Sequence, residues 1–266
     1  MRAVYPNGAK KAFTLRFDDG PVGDYKMVGL LEKYGLRATF YISAGKLDRE
    51  GYVKLSELSE LYRDHEIANH TYSHRDPRKI RLTAEELRID LTRGKDAIAA
   101  AINKPVVGYG YVCSSFGDLG AEEYKRVLRE TGHTYAVMGR ENRSFVPDAR
   151  DMLDIGQSFR FSDPELLPYA RDFVRLECDS LTTFFAMAHT YEFDRPELPY
   201  GWDKVEELFK IVSGRDDIWY TTNGELFAYL DALSRFEASD RTRNDSSVTL
   251  YLDDGTTVPP SGAPLK

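Results

Sequence analysis

The chain has 266 residues, a length that allows one α/β barrel or two smaller domains. Hydrophobic residues make up 42% of it, which is enough for one large core. The 36 Lys and Arg against 43 Asp and Glu give a net charge of −7. This charge argues against nucleic acid as a partner, because nucleic-acid-binding domains usually present a basic face.

The sequence contains no targeting signal that we can identify. The first residues, MRAVYPNGAKKAF, lack the apolar region of a signal peptide, and no stretch approaches the ~20 apolar residues of a membrane span. The two cysteines, Cys113 and Cys178, form no C-x-x-C pattern and fit a reducing compartment. We therefore expect a cytoplasmic protein without membrane contact, although a secreted chain without its leader would look the same. The oligomeric state does not follow from the sequence.

Short apolar runs alternate with amphipathic stretches along the chain. The predicted strands are AFTLRFD (12–18), RATFYIS (37–43), EIANH (66–70), PVVGYGYV (105–112), TYAVMG (134–139), DMLDIGQSFRF (151–161), LTTFFAMAH (181–189) and DIWYTTNG (217–224). The predicted helices are a stretch closed by Gly35, then 53–65, 83–102, 121–132, 162–173, 202–212 and 225–236. This alternation predicts a parallel sheet with crossover helices, closed or nearly closed.

The end of the chain has a different pattern. SVTLYLDDGTTVPP (247–260) places Asp-Gly between two β-rich runs, which is typical of a hairpin. We therefore predict a barrel over residues 1–237 and a short C-terminal β extension over 238–266.

Chemistry-bearing side chains collect where predicted strands end. Asp18 and Asp19 close the first strand, His70 and His74 follow EIAN, and His189 ends FFAMA. In a βα barrel the carboxyl ends of the strands meet on one face, so these five side chains should lie together. His65 and His133 have no such position, and we expect them to be structural.

His70 and His74 are spaced as metal ligands often are. On a helical turn, residues four apart project from the same side. Two His and one Asp would hold zinc and leave a coordination position open for water. Because Asp18 and Asp19 are consecutive, one could bind the metal while the other faces that water as general base. The competing interpretation is that Asp-Asp-Gly is an ordinary turn that caps a helix.

Three motifs together resemble a known family. FTLRFDDGP, RATFYIS and DHEIANHTYSH are similar to the T-F-D-D-G, A-T-F-F and H-[ST]-x-x-H motifs of the polysaccharide deacetylases, the fourth carbohydrate-esterase family. The match is specific over residues 12–76 and weak from there to about 235. The resemblance implies a distorted (β/α) barrel with fewer than eight regular strands and hydrolysis of acetyl groups on a sugar.

The resemblance also assigns roles to residues. Asp18 matches the catalytic base and His189 matches the catalytic acid. Asp19, His70 and His74 match the ligands of a divalent ion, with zinc as the first choice. The implied nucleophile is a metal-bound water that attacks the acetyl carbonyl of an acetylated carbohydrate.

Two family features are missing. The third motif supplies an arginine that pairs with the base and a proline beside an aromatic residue, but GYGYVCSS (108–115) has neither. Arg16, two residues before Asp18 on the same strand, should share its face and could replace that arginine. Alternatively, Arg16 pairs with another carboxylate, such as Glu192, and only stabilises the barrel.

The fourth motif, which orients the acid His, is not recognisable. Asp151, Asp154 and Glu192 are the candidates for that role. The sequence thus predicts a metal-dependent hydrolase that removes N- or O-linked acetyl groups from a carbohydrate. The rivals are a related C–N hydrolase of a small cyclic amide and a barrel that keeps its metal but only binds a glycan.

Overall fold

A mostly parallel sheet surrounded by helices forms the centre of the computed structural model, which describes residues 2–148, 150–241 and 243–261. The strands of this sheet are β2 (Lys11–Asp19), β3 (Thr39–Ile42), β4 (Glu66–Asn69), β5 (Gly108–Gly110), β6 (Tyr135–Glu141), β7 (Ile155–Gln157), β8 (Phe159–Arg160), β9 (Thr182–Ala188) and β10 (Ile218–Tyr220). All recorded pairings within it are parallel. The predicted α/β fold class is confirmed.

The helices follow the strands as crossover connections. They are α1 (Gly23–Tyr34), α2 (Leu58–Leu61), α3 (Ala84–Ile102), α4 (Gly120–Glu130), α5 (Leu166–Arg175), α6 (Trp202–Val212) and α7 (Asn223–Ala238). A capping box of Thr83 and Glu86 is present at the start of α3. No helix among the described residues has the length and apolar character needed to cross a membrane.

One extended run connects the two ends of the sheet. The strand order is β7-β6-β5-β4-β3-β2-β9-β8, with β10 beside the start of β2. Only Ser158 separates β7, which pairs with β6, from β8, which pairs with β9. The path of pairings is itself open, but this chain connection brings its two ends next to each other, as expected for a distorted barrel with irregular strands.

Strand β2 separates two layers of the core. Phe13, Leu15 and Phe17 point outward and pack with the helices, while Thr14, Arg16 and Asp18 point inward because side chains alternate along a strand. A second buried apolar cluster lies on the inner side of the sheet, where Tyr41, Val137 and Phe185 pack with Leu226 and Phe227 of α7. This arrangement leaves the polar side chains at the carboxyl ends of the strands.

The C-terminal hairpin is present as β11 (Leu250–Leu252) and β12 (Thr257–Val258). It pairs with the short N-terminal strand β1 (Ala3–Val4), which forms a separate antiparallel sheet. Residues 262–266 of the predicted extension lie outside the described residues. The boundary between residues 237 and 238 stays a prediction.

Candidate active site

The site lies where β2, β4, β5 and β9 end. Asp18 and Asp19 finish β2, His70 follows β4 directly, and His189 follows β9. Asp18, Asp19 and His70 are all buried, while the side chains of His74 and His189 keep about a fifth of their exposure at 21% and 20%. The five residues predicted from strand ends are therefore found around one face of the barrel.

Asp19, His70 and His74 form a group with the geometry of a metal site. One ligand atom from each residue lies within 4.8 Å of the others. The Nε2 atom of His74 is 2.9 Å from Asp19 Oδ1, and that of His70 is 3.7 Å from the same oxygen. Asp19 Oδ1 is buried and makes no hydrogen bond of good geometry among the described residues, although His74 Nε2 and Lys46 Nζ lie within ion-pair distance of it. A divalent ion would satisfy this oxygen.

The protonation of His70 favours metal binding. Its Nδ1 is 2.7 Å from the carbonyl oxygen of Gly110 and must donate to it, because a carbonyl only accepts. Burial, above all, lowers the pKa of His70 to about 4, so the ring is neutral at pH 7. A neutral imidazole that donates from Nδ1 presents the Nε2 lone pair to the group, as zinc ligands commonly do.

The two histidines do not lie on a helical turn, so that expectation is wrong. Residues 70–75 form a loop, in which Thr71 and His74 have positive φ values of 62° and 53°. This left-handed backbone turns the two rings together, with their centroids 5.0 Å apart. Asp19 is also left-handed, at φ 83°, and this separates its side-chain direction from that of Asp18. Such strained residues concentrate at functional sites.

Asp18 is held by Arg16 through two hydrogen bonds. Arg16 Nε donates to Oδ1 at 2.7 Å and Nη2 donates to Oδ2 at 2.6 Å, both fully inside the barrel. Burial opposes ionisation of Asp18, but the charge of Arg16 and the nearby His70 outweigh it, and the pKa of Asp18 falls below its usual value. The contact expected between Arg16 and Asp18 is present. Glu192, the alternative partner for Arg16, instead contacts His189 and Tyr200.

The guanidinium occupies space that a glycine provides. A Cβ on Gly110 would lie 3.0 Å from Arg16 Nη2 and 2.8 Å from Cδ1 of Tyr41. Arg16 also donates to the carbonyl oxygen of Val137 at 3.2 Å and lies over the ring of Tyr41. The GYGYVCSS segment therefore contains no arginine or proline of its own, but its Gly110 leaves space for the side chain of Arg16 from β2.

His189 is oriented by Glu192. Its Nδ1 is 3.0 Å from Glu192 Oε1, and Tyr200 donates to Oε2 of the same carboxylate at 3.2 Å. Burial alone would lower the pKa of His189, but the bond to Glu192 and the charges of Asp18 and Asp19 raise it. Of the other candidates, Asp151 pairs with Lys125 and Asp154 with Arg140, so neither contacts His189.

Sequence reasoning missed two neighbours of the site. Lys46 follows β3, and its Nζ is 3.1 Å from Asp19 Oδ1. The ring of Tyr191 stacks on His189 with centroids 5.0 Å apart. The rule that functional side chains collect at the carboxyl ends of the strands, here called the strand-end rule, could have identified Lys46, because it lies four residues after β3.

Outside the site, His133 is buried against Asn69 and Thr131, as expected of a structural histidine.

A cavity of about 1040 Å³ lies away from this site. It lies at the opposite, amino-terminal end of the strands, where Glu66, Thr134 and Trp219 line it. The five side chains predicted from strand ends lie instead at the carboxyl ends of the strands, which is where βα barrels carry out chemistry.

Comparisons with known proteins agree with this geometry. Residues 6–136 match the family model described as polysaccharide deacetylase. A structure from Mycobacterium smegmatis, provisionally described as a polysaccharide deacetylase, is 17% identical with a TM-score of 0.63, and the match covers 88% of this chain and 95% of that one. No curated protein matches the chain.

Two further structural neighbours differ in activity. A family 4 carbohydrate esterase from Streptomyces lividans, solved with acetate, is 17% identical with a TM-score of 0.50, over 79% of this chain and 92% of that one. A family 4 pseudoenzyme from Bacillus anthracis is also 17% identical, with a TM-score of 0.50 over 85% and 68%, and a mutant of it has restored activity. At these identities the likeness shows the fold alone.

Proposed function

The chain belongs to the polysaccharide deacetylase family through residues 6–136, and on that premise we propose that it removes acetyl groups from a carbohydrate with the help of a divalent ion. The observation that carries this proposal is the convergence of an Asp-His-His group with an arginine-bound carboxylate and a carboxylate-bound imidazole. The three groups differ in what they can do chemically, and the reaction needs all three.

Asp19, His70 and His74 would hold the ion. Two imidazoles and one carboxylate are ligands that suit zinc and leave positions open. Bound there, the ion would polarise the acetyl carbonyl and lower the pKa of water. Lys46, whose Nζ is 3.1 Å from Asp19 Oδ1, places a positive charge beside this ligand group.

Asp18 is the proposed general base. Its lowered pKa keeps it ionised at neutral pH, and its Oδ2 lies 3.8 Å from His70 Nε2, beside the ligand group. From this position it can accept a proton from the attacking water. His189 is the proposed general acid, because its raised pKa favours the protonated form that must donate to the departing amine or alkoxide.

Arg16 is the proposed orienting residue for Asp18. We expect Arg16→Met to destabilise the fold by about 3–5 kcal/mol, because Asp18 would be buried without its partner. Arg16→Lys should retain more stability but lose activity, since an ammonium cannot reproduce the bidentate contact. Urea unfolding and acetate release measure the two effects. If Arg16→Lys keeps the wild-type rate, the bidentate contact is not required.

Glu192 gives a prediction for the pH profile. His189 must be protonated to donate, so the rate should fall as pH rises through its pKa. Glu192→Gln removes the negative charge that stabilises protonated His189, and this lowers the His189 pKa. The alkaline limb of the profile for an amide substrate should therefore move to lower pH. An alkaline limb that stays in place would separate Glu192 from the acid.

The substrate test uses acetylated oligosaccharides with N-linked and O-linked acetyl groups, together with a cyclic amide such as a hydantoin. Acetate release supports the proposal, and ring opening without acetate release would support the cyclic-amide alternative. Full metal content without turnover of either would support the non-catalytic alternative. Among the described residues, no contact in the site favours either alternative over deacetylation.

A further inference from the structure

A buried carboxyl group with no part in the proposed chemistry lies directly behind the acid. Asp24, in the first turn of α1, is 1% exposed. Thr190, which follows His189 in the chain, donates from Oγ1 to Asp24 Oδ1 at 2.5 Å. Tyr62 donates to the other oxygen, Oδ2, at 2.6 Å. Asp24 thus links α1, the end of α2 and the segment that carries His189.

The contact between α1 and this segment is close along the backbone as well. A Cβ on Gly23 would lie 2.9 Å from Thr190 Oγ1 and 3.1 Å from the Thr190 carbonyl carbon. Thr190 itself is fully buried. The backbone immediately after His189 is therefore held against α1 through Thr190. The His189 ring is held separately, by the contact of its Nδ1 with Glu192.

Retention of a carboxyl group here requires an explanation. Burial raises the pKa of Asp24 to about 7, although the bonds from Thr190 and Tyr62 act against the rise. An apolar side chain would fill the same space without this cost, but it could not accept a hydrogen bond from Thr190. The hydrogen bond, unlike apolar packing, sets both the distance and the direction of the Thr190 side chain.

We propose that Asp24, through Thr190, is a positioning residue that holds His189 where it can protonate the leaving group. This inference rests on the proposed function. Asp24 contacts neither the ligand group nor any reacting atom. Its hydrogen bond to Thr190 acts on the geometry of the acid, so loss of this bond should matter only where the leaving group needs a proton.

The test compares two substrates in the full-length, metal-loaded protein. An N-acetylated sugar has a poor leaving group and needs the acid, whereas an activated aryl acetate does not. In Thr190→Val, which removes the hydroxyl at nearly constant shape, we expect kcat for the amide to fall about tenfold or more, because small misplacements of catalytic groups have large effects. The KM for the amide and the rate with the aryl acetate should stay within about threefold.

Two variants serve as controls. Thr190→Ser keeps the hydroxyl and should restore the amide rate. Tyr62→Phe removes the other donor to Asp24 and leaves the hydrogen bond between Asp24 and Thr190 in place. It should lower stability comparably but leave the ratio of amide to ester rates unchanged. Equal losses on both substrates in Thr190→Val, or the same change of ratio in Tyr62→Phe, would overturn the proposal.

A readout without turnover separates this proposal from the proposed function. The imidazole ¹⁵N signals of His189, assigned by comparison with His189→Ala, report the hydrogen bond from Nδ1 to Glu192. We expect these signals to show a weaker hydrogen bond in Thr190→Val and an unchanged hydrogen bond in Thr190→Ser. If the wild type hydrolyses neither substrate, the proposed function fails, whereas an unchanged His189 spectrum in Thr190→Val contradicts the positioning role.

Discussion

His70→Ala is expected to abolish stoichiometric metal binding and, with it, nearly all hydrolysis of an acetylated sugar. His70 contributes a neutral, buried imidazole whose Nδ1 is fixed by Gly110 and whose Nε2 faces Asp19. The alanine variant would leave only His74 and Asp19, and two ligands seldom retain a zinc ion. Metal content after dialysis measures the first effect, and acetate release measures the second.

His133→Ala is a suitable control for that experiment. This histidine is also buried and neutral at pH 7, because burial lowers its pKa to about 3, but it contacts Asn69 and Thr131 rather than the ligand group. It should lose stability while retaining metal. If His70→Ala keeps full metal occupancy, the assignment of the Asp-His-His group is wrong.

Asp18→Asn is expected to keep the metal and lower the rate by roughly 10²–10⁴-fold, the usual contribution of a general base. Asparagine has the same shape and can still accept from Arg16, but it cannot take a proton from water. The loss should therefore appear in kcat at unchanged metal content. The variant also leaves Arg16 without a negative partner, so its unfolding must be measured alongside.

His189→Ala provides the comparison for Asp18→Asn. Loss of the acid should slow amide hydrolysis much more than hydrolysis of an activated ester, whereas loss of the base should slow both. Wild-type rates on an amide in both variants would contradict the assignment of the two roles.

The strand-end rule predicted the location of the site from the sequence because parallel strands bring their carboxyl ends together. Asp18, His70 and His189 each follow a strand whose apolar pattern is clear, so their approach follows from topology. Arg16 could be placed beside Asp18 by alternation along one strand. These inferences needed only the period of the strand and the order of the elements.

Other features depend on tertiary structure that a single sequence does not reveal. The loop after β4 has no helical turn. Thr71 and His74 are left-handed, and Asp90 of α3 accepts hydrogen bonds from the backbone and the side chain of Ser73 between them. Glu192 could not be preferred over Asp151 or Asp154 until their partners were known. Asp24 gave no signal, since its bond to Thr190 connects residues 166 positions apart.

The proposed replacement of the family's arginine by Arg16 shows what the sequence and the structure can each reveal. The absence of an arginine from GYGYVCSS is visible in the sequence, and so is Arg16. The room that Gly110 leaves for the guanidinium is visible only in three dimensions. We expect Gly110→Ala to displace Arg16 and reproduce part of the Arg16→Lys effect.

On the function we propose, this site deacetylates a carbohydrate with the help of a divalent ion. The most direct measurement is acetate released from a panel of N- and O-acetylated oligosaccharides by the protein before chelation, after chelation and after zinc is restored. We expect the protein to release acetate, chelation to abolish this release and zinc to restore it. Asp18→Asn should release no acetate although it binds the same amount of metal. A well-folded protein with one bound zinc per chain that releases no acetate from any member of the panel would contradict the proposed function.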